Sequence, residues 1–337
     1  MELPTRTPTL LAGTETALPL VSIVIPSYNH GRYLGAAIDS VLAQDYPRVE
    51  LIVIDDGSTD NSPEVLAQYT GRVHWERQAN QGQAATMNRG WLMSSGDILG
   101  FLSADDFLLP EAVSRSVRAL QDDPGAALVY CDFNLVDPTS ALVRRVRAPE
   151  ATYFQMVTQF ICAPGPGALF RRSAFEKAGL WDLTLRQMGD YEYWLRLGMH
   201  GRLMRIPEVL AAFRVHPGSQ TFGNAHRLLP EEPVDIIRRY FERPDVPDDI
   251  RAARNQALST AYLISAQLHF RAGGYRRGLG ALRRAFELKP GNLFSLRFTR
   301  IAFNAAFNRL GHRILWSVRG AASRSTGKGL GRGSGQK

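Results

Sequence analysis

The chain has 337 residues, 45% of them hydrophobic and 21% charged, the composition of a globular protein with room for one α/β domain and an appendage, or for two modest domains. Its net charge of +8 is uneven. From Leu288 to Lys337 there are ten Lys and Arg and no acidic residue, and the rest sets 30 cations against 32 carboxylates, which excludes a uniformly basic nucleic-acid-binding body.

The two cysteines, Cys131 and Cys162, belong to no CxxC or Cys/His cluster, which excludes a disulfide framework or a zinc module. The first twenty residues are rich in Thr and Pro and lack the basic start and apolar core of a signal peptide, and no run reaches the eighteen or so apolar residues that span a membrane. The expectation is a cytoplasmic protein whose residues 1–19 form a disordered leader.

Leu20 to Ile25 is an apolar, β-branched run and reads as a strand. It ends in Pro26-Ser27-Tyr28-Asn29-His30-Gly31, the natural first wall of a ligand site. The helix that follows carries Leu34, Ile38, Val41 and Leu42 on one stripe. Neither G-x-G-x-x-G nor a Walker A sequence follows this or any later strand, so those phosphate cradles are excluded. Val49 to Ile54 is the second strand, ending in Asp55-Asp56-Gly57-Ser58-Thr59-Asp60. Asp60 is placed to cap a helix starting near Ser62-Pro63. A short strand at Val73 to Arg77 leads through Asn80-Gln81-Gly82 into a helix over Gln83 to Ser94, its apolar pattern interrupted by Asn88 and Gly90. Asn80 suits an anionic ligand or the capping of its own loop.

The apolar run beginning at Leu99 is a buried strand that delivers Asp105 and Asp106 to its carboxyl end, before a helix starting at Pro110. Open α/β sheets bind ligands at that edge. Adjacent carboxylates repel, so a site that keeps both ionised supplies donors or a cation, and a divalent metal held against a diphosphate would serve. Helix capping is the other reading, but both aspartates lie a turn too early for a helix that begins at Pro110. Ala127 to Asp132 adds another strand, and the strand–helix alternation implies a mainly parallel, doubly wound sheet. Pro164-Gly165-Pro166-Gly167 is too rigid and too broken for a helix or strand and shapes a loop. Gly189-Asp190-Tyr191-Glu192 opens a helix in which Asp190 is either an N-cap or a working carboxylate. Leu210 to His216 is a strand, and His216 at its end is a candidate metal ligand.

Glu231 to Glu242 and Asp248 to Ala272 read as helices. Tyr262, Ala266, His269, Gly273, Tyr275, Leu282, Ala285 and Pro290 follow the spacing of one tetratricopeptide-like hairpin. A single unit cannot bury its own face, so packing on the first domain is expected rather than a peptide-binding array. Phe303, Phe307, Leu310 and Ile314, with Arg309 and Arg313, form a basic amphipathic helix that either meets an anionic inner-membrane surface or closes the hairpin core. The expected domains are 20–225, a helical extension over 226–320, and a disordered basic tail over 321–337.

Taken in order, Ser22-Ile23-Val24-Ile25-Pro26-Ser27-Tyr28-Asn29, Ile54-Asp55-Asp56-Gly57-Ser58-Thr59-Asp60, Ser103-Ala104-Asp105-Asp106, Gly189-Asp190-Tyr191-Glu192 and Arg214-Val215-His216-Pro217 resemble the family 2 glycosyltransferases. The resemblance covers about Leu20 to Phe222. It implies an α/β GT-A fold, a Rossmann-like, mainly parallel sheet flanked by helices, followed here by an all-helical region. It implies an inverting, metal-dependent transferase that moves a sugar from a nucleoside diphosphate sugar, UDP or dTDP before GDP, to a hydroxyl of a cell-envelope or polysaccharide acceptor. Such an enzyme would work in the cytoplasm or at the inner face of the membrane.

By the same resemblance, Pro26 and Tyr28 pack on the base, Asp56 accepts the base imide hydrogen and Asp105 binds the ribose. Asp106 and His216 hold the metal, Mn2+ or Mg2+, and Asp190 is the catalytic base. A sugar-nucleotide nucleotidyltransferase would instead need a Gly-rich, basic loop where Pro26-Ser27-Tyr28-Asn29 stands. A non-catalytic nucleotide-sugar-binding scaffold would have no need of Asp56, Asp106 and Asp190 together.

Overall fold

The computed structural model describes residues 18–219, 229–291 and 299. The chain divides into two compact units, Met1–Asn224 with Arg239–Ala252, and Ala225–Arg238 with Ala253–Lys337. The leader, the amphipathic stretch from Phe303 to Ile314 and the basic tail named above lie outside the described residues.

The first unit opens with β1 (Val21–Ser27), α1 (Gly31–Leu42), β2 (Val49–Asp55), α2 (Ser62–Ala67), β3 (His74–Arg77), α3 (Gln83–Met93) and β4 (Ile98–Phe101). These strands pair in parallel in the order β3-β2-β1-β4. Every residue of β1 is buried, as the continuous apolar run of a central parallel strand requires. Leu34, Ile38 and Val41 of α1 pack into the same core, whereas Leu42, expected on that stripe, is exposed.

The two residues that break the apolar pattern of α3 have packing roles. A Cβ at Gly90 would stand 2.3 Å from Val24 Cγ1, so the helix can approach β1 only with glycine there. Asn88 is buried and exchanges two hydrogen bonds with the Trp181 backbone, donating to its carbonyl at 2.9 Å and accepting from its N–H at 2.7 Å.

The chain continues through β5 (Phe107–Leu108), α4 (Ala112–Asp122), β6 (Ala126–Val136), β7 (Leu142–Val146), α5 (Tyr153–Gln159), β8 (Leu169–Arg171), α6 (Arg172–Ala178), α7 (Gly189–Gly198) and β9 (Arg202–Arg214). The full order is β3-β2-β1-β4-β8-β6-β9-β5, with β7 on β6. The α/β class and the parallel half are those expected, but the sheet as a whole is mixed. β8 runs antiparallel to both β4 and β6, β7 is antiparallel to β6 and β5 to β9, while β6 and β9 are parallel. Two antiparallel steps through β8 return β6 and β9 to the direction of β1. The carboxyl ends of β1, β2, β4 and β9 therefore lie at one edge.

Pro110 does not start a helix. Pairing of β5 with β9 keeps the backbone extended, Leu109 N–H bonds the Leu210 carbonyl at 2.8 Å, and α4 begins only at Ala112. Asp60 is not the cap residue of α2, a position held by Asn61. It does related work: Oδ1 accepts from the N–H and hydroxyl of Ser62, at 3.0 and 2.6 Å, and Oδ2 from Gly31 N–H at 2.9 Å, tying the starts of α1 and α2 together.

Trp91 of α3 is fully buried. Tyr193 stacks on it at 5.1 Å, and Phe170, Phe175 and Trp181 surround it. Truncating such a residue to alanine costs about 3–5 kcal/mol, and this cluster is what fixes α7 against the sheet.

Beyond β9, α8 spans Glu232–Glu242, and the helix expected over 248–272 is broken at Ala253 into α9 (Asp248–Ala252) and α10 (Arg254–Arg271). Residues 239–252, expected with the helical extension, group with the first unit. Arg239 pairs there with Asp182 at 3.0 Å, and the hydroxyls of Tyr240 and Tyr153 meet at 2.8 Å. The second unit is built on a hairpin of α10 and α11 (Tyr275–Leu288). Gly273, at φ +78°, makes the turn, and Gly278 admits Phe270 against the helix backbone. Among the described residues no helix is long and apolar enough to cross a membrane.

Candidate active site

Four loops meet at the carboxyl edge of the sheet. Asn29, after β1, adopts a left-handed φ of 56°, which asparagine tolerates better than most residues. Its N–H bonds the Ser58 hydroxyl at 2.9 Å and its Oδ1 accepts Thr59 N–H at 2.8 Å, joining the loops after β1 and β2. Gly57 completes the second loop at φ +77°, where a Cβ would lie 2.9 Å from the Asn80 backbone nitrogen. On this frame Tyr28 stands 46% exposed, while Pro26 is buried within β1, in register with Ile54.

The two aspartates that end β2 diverge. Asp55 turns inward, with Oδ1 on Ser58 N–H at 3.1 Å and Oδ2 3.1 Å from Arg77 Nε. Asp56 faces the next loop and collects three N–H donors at 2.8 Å, from Gln78 Nε2, Gln81 N and Gly82 N. These fill three of the roughly four acceptor directions of a carboxylate and leave one. The side chain of Asn80 bonds the Asp56 carbonyl at 3.0 Å, so the amide holds its own loop.

Asp105 and Asp106 also diverge. The turn that carries them closes through Asp106 N–H on the Ser103 carbonyl at 3.0 Å. Asp105, expected at the ribose, points Oδ2 at two imidazoles, 2.9 Å from His216 Nε2 and 3.9 Å from His30 Nε2. Ligand atoms of His30, Asp105 and His216 all lie within 4.8 Å of one another. Asp106, expected at the metal, stands outside this cluster with only 4% of its surface exposed, and Oδ1 accepts Arg214 N–H at 2.8 Å. Burial, and then the Asp105 charge beside it, push its carboxyl well above the usual range.

Burial also lowers the pKa of His30, against the opposing pull of Asp105, which keeps the ring in the neutral form that can ligate a metal. Gly218 N–H donates to His216 Nδ1 at 3.2 Å. The ring proton of a neutral His216 therefore sits on Nε2 and bonds Asp105.

Arg214, quoted in the sequence only as part of a motif, is the clamp of this edge. It is buried; Nε donates to the Asp105 carbonyl at 2.8 Å and Nη1 to Ser140 Oγ at 2.9 Å, and the guanidinium lies 4.7 Å from the Tyr33 ring centroid. His30 had a weaker sequence signal, its place in the loop after the first strand. Its relation to Asp105 exists only in three dimensions.

Asp190 is the second residue of α7. Met188 holds the N-cap position, so the capping reading of Asp190 does not stand. The side chain is partly exposed, with Oδ1 on Tyr191 N–H at 2.7 Å and Oδ2 4.0 Å from Cys162 Sγ. Glu192 is taken up by a bidentate pair with Arg196, at 2.6 and 2.8 Å, and Tyr191, Tyr193 and Trp194 are buried. The helix is held rigidly while Asp190 keeps contact with solvent.

Residues 22–179 match the model of glycosyl transferase family 2. An uncharacterized glycosyltransferase of Rickettsia typhi is 32% identical over 225 residues, which cover 64% of this chain and 70% of that protein. Among solved structures, TarS 1–349 of S. aureus in complex with UDP-GlcNAc superposes with a TM-score of 0.59 at 17% identity, covering 85% of this chain and 79% of the other. The mannosyltransferase PcManGT of Pyrobaculum calidifontis, in complex with GDP-Man and Mn2+, gives 0.57 at 17% identity over 90% and 88%. Aspartate-bearing loops gathered at the edge of a GT-A sheet, the matching family model and the Rickettsia relative converge on one conclusion: this chain belongs to glycosyl transferase family 2 and is a glycosyltransferase.

Proposed function

We propose that the chain transfers a sugar, with inversion, from a nucleoside diphosphate sugar to a hydroxyl of a cell-envelope or polysaccharide acceptor, using a divalent cation held by Asp105 and His216 with His30 beside them. The observation that carries the reading is the His30–Asp105–His216 cluster at the sheet edge. One carboxylate and two imidazoles form a donor set for a divalent transition ion, in which Mn2+ or Mg2+ would rely chiefly on the carboxylate. This assignment moves the metal from Asp106 to Asp105 and leaves Asp106 to hold the Arg214 backbone.

When bound, the cation neutralises charge on the departing diphosphate. His216 would hold the cation through Nε2, the atom that now faces Asp105 Oδ2 at 2.9 Å, with its ring proton then on Nδ1. Tyr28 offers an exposed ring for the base to stack on, with Pro26 shaping the floor below it. The free acceptor direction of Asp56 takes the imide hydrogen of uracil or thymine, which favours UDP or dTDP over GDP. Asp190, at the start of α7, takes the proton of the acceptor hydroxyl. The two-helix hairpin of the second unit is a single tetratricopeptide-like unit and is too short for a peptide-binding array.

Calorimetric titration of UDP, dTDP and GDP tests the donor site, with Mn2+, Mg2+ or chelator, on wild type, Asp105→Asn and Asp106→Asn. Metal-dependent binding of UDP or dTDP that Asp105→Asn abolishes and Asp106→Asn retains is the expected result. Retention in Asp105→Asn with loss in Asp106→Asn would return the metal to Asp106. Absence of nucleotide binding under every condition would favour a non-catalytic scaffold.

A further inference from the structure

The second unit carries an open pocket of about 330 Å³ lined entirely by its own residues. Arg238 of α8, the α10 residues Arg254, Leu258 and Tyr262, and Arg284, Glu287 and Leu288 at the end of α11 line it. Positions 254, 258 and 262 are four apart and so share one face of α10. The wall sets three guanidinium groups against one carboxylate. That carboxylate is already engaged, accepting from Arg283 Nε at 2.8 Å and Arg284 Nη1 at 3.0 Å. Arg238 pairs with Asp235 at 3.1 Å. Arg254 makes no ion pair with any described residue. It is also the first residue of an eighteen-residue helix whose N-terminus has no side-chain cap, so the positive end of the helix dipole adds to its charge.

Leu258, Tyr262 and Leu288 supply an apolar patch beside these cations. With Arg238 on Asp235 and Arg284 on Glu287, Arg254 is the lining cation left without an ion pair among the described residues. Forked guanidinium groups match the oxygens of a phosphoryl group, and the volume is at the lower end of that of small-ligand sites.

We propose that this pocket binds a phosphate ester, with the phosphoryl group on Arg254, Arg238 and Arg284 and the carbon portion against Leu258, Tyr262 and Leu288. The site is separate in chemistry from the donor site and needs no metal. A soluble phosphate ester and the phosphate of a membrane lipid share this chemistry.

The test uses the full chain in chelator at fixed ionic strength. Phenyl phosphate is titrated calorimetrically into wild type, Arg254→Gln and Arg284→Gln, and the same proteins are sedimented with vesicles of phosphatidylglycerol and phosphatidylcholine or of phosphatidylcholine alone. Both arginines are exposed, so the variants fold, which an unchanged Tm verifies. Each is expected to weaken phenyl phosphate binding about tenfold or more, the effect of removing one charge-assisted hydrogen bond. A parallel loss of sedimentation with the anionic vesicles identifies the lipid as the source. Unchanged sedimentation with lost phenyl phosphate binding identifies a soluble ester. No saturable phenyl phosphate binding to wild type, or binding equal in wild type and both variants, overturns the proposal.

Discussion

His216 Nε2 stands 2.9 Å from Asp105 Oδ2. The contact joins residues 111 positions apart, one on the turn after β4 and the other just past the end of β9. Replacing His216 with Ala removes a donor but leaves Asp105 and His30 in place. Mn2+-dependent nucleotide binding is expected to weaken about 10- to 100-fold, the usual effect of losing a residue that ligates or orients a metal site, and metal-free folding stability to fall by about 1–3 kcal/mol, because the buried ring and its hydrogen bond to Asp105 are lost. Titration of Mn2+ at fixed UDP, together with a thermal melt in chelator, measures both.

Arg214 connects the site to the fold. It is buried, bonded to the Asp105 carbonyl and Ser140, and stacked against Tyr33 and Phe107. Lys in its place keeps the charge but cannot reproduce the planar fork or the stacking. Arg214→Lys is expected to cost about 1–3 kcal/mol in urea unfolding, the penalty for leaving buried acceptors unpaired. It should also weaken metal-dependent nucleotide binding, because the turn that aims Asp105 is released.

Asp190→Asn retains an oxygen for the Tyr191 N–H but abolishes the base. Turnover is expected to fall by about 10²- to 10⁴-fold, the usual contribution of a general base, while the calorimetric affinity for the nucleotide donor stays that of wild type. Turnover within a few-fold of wild type would remove Asp190 from the chemistry.

Asp132 of β6 pairs with Arg205 of β9, bidentate at 2.8 and 2.6 Å, and accepts Ala148 N–H at 2.9 Å. Burial raises its pKa, but the Arg205 and Ala148 hydrogen bonds outweigh that, and the carboxyl lies below its ordinary value of 3.8. Because the folded pKa is below the unfolded one, the stabilisation is complete above the unfolded value and lost as pH falls through the folded value. Asp132→Asn is therefore expected to lower stability by about 1–3 kcal/mol at pH 7. The gap between wild type and variant should close below about pH 4, as urea midpoints measured from pH 7 to pH 3 would show.

The strands β1, β2 and β4, and the aspartates that end them, were legible because each is a local signal: a continuous apolar run, then polar residues at its carboxyl end. The helices α1 and α3 were legible for the same reason, by their period. β5 was not, since Phe107 and Leu108 are extended only because they pair with Ala212 and Ala211 across the sheet, and that pairing also moved the start of α4. β8 likewise takes its direction from β4 and β6 rather than from its three residues.

Which aspartate of each pair faces the site was equally out of reach. Adjacent side chains in a turn point apart, and which of them turns outward depends on contacts made elsewhere: Arg77 and Ser58 for Asp55, and the Arg214 backbone for Asp106. Sequence by itself determined the family, the parallel half of the fold and the set of acidic residues at its edge, because hydrophobic periodicity and motif order are written along the chain. Tertiary structure alone decided that Asp105 meets His30 and His216 and that Arg214 clamps the turn, because those contacts join segments that only the packing of β9 against β6 and β5 brings together.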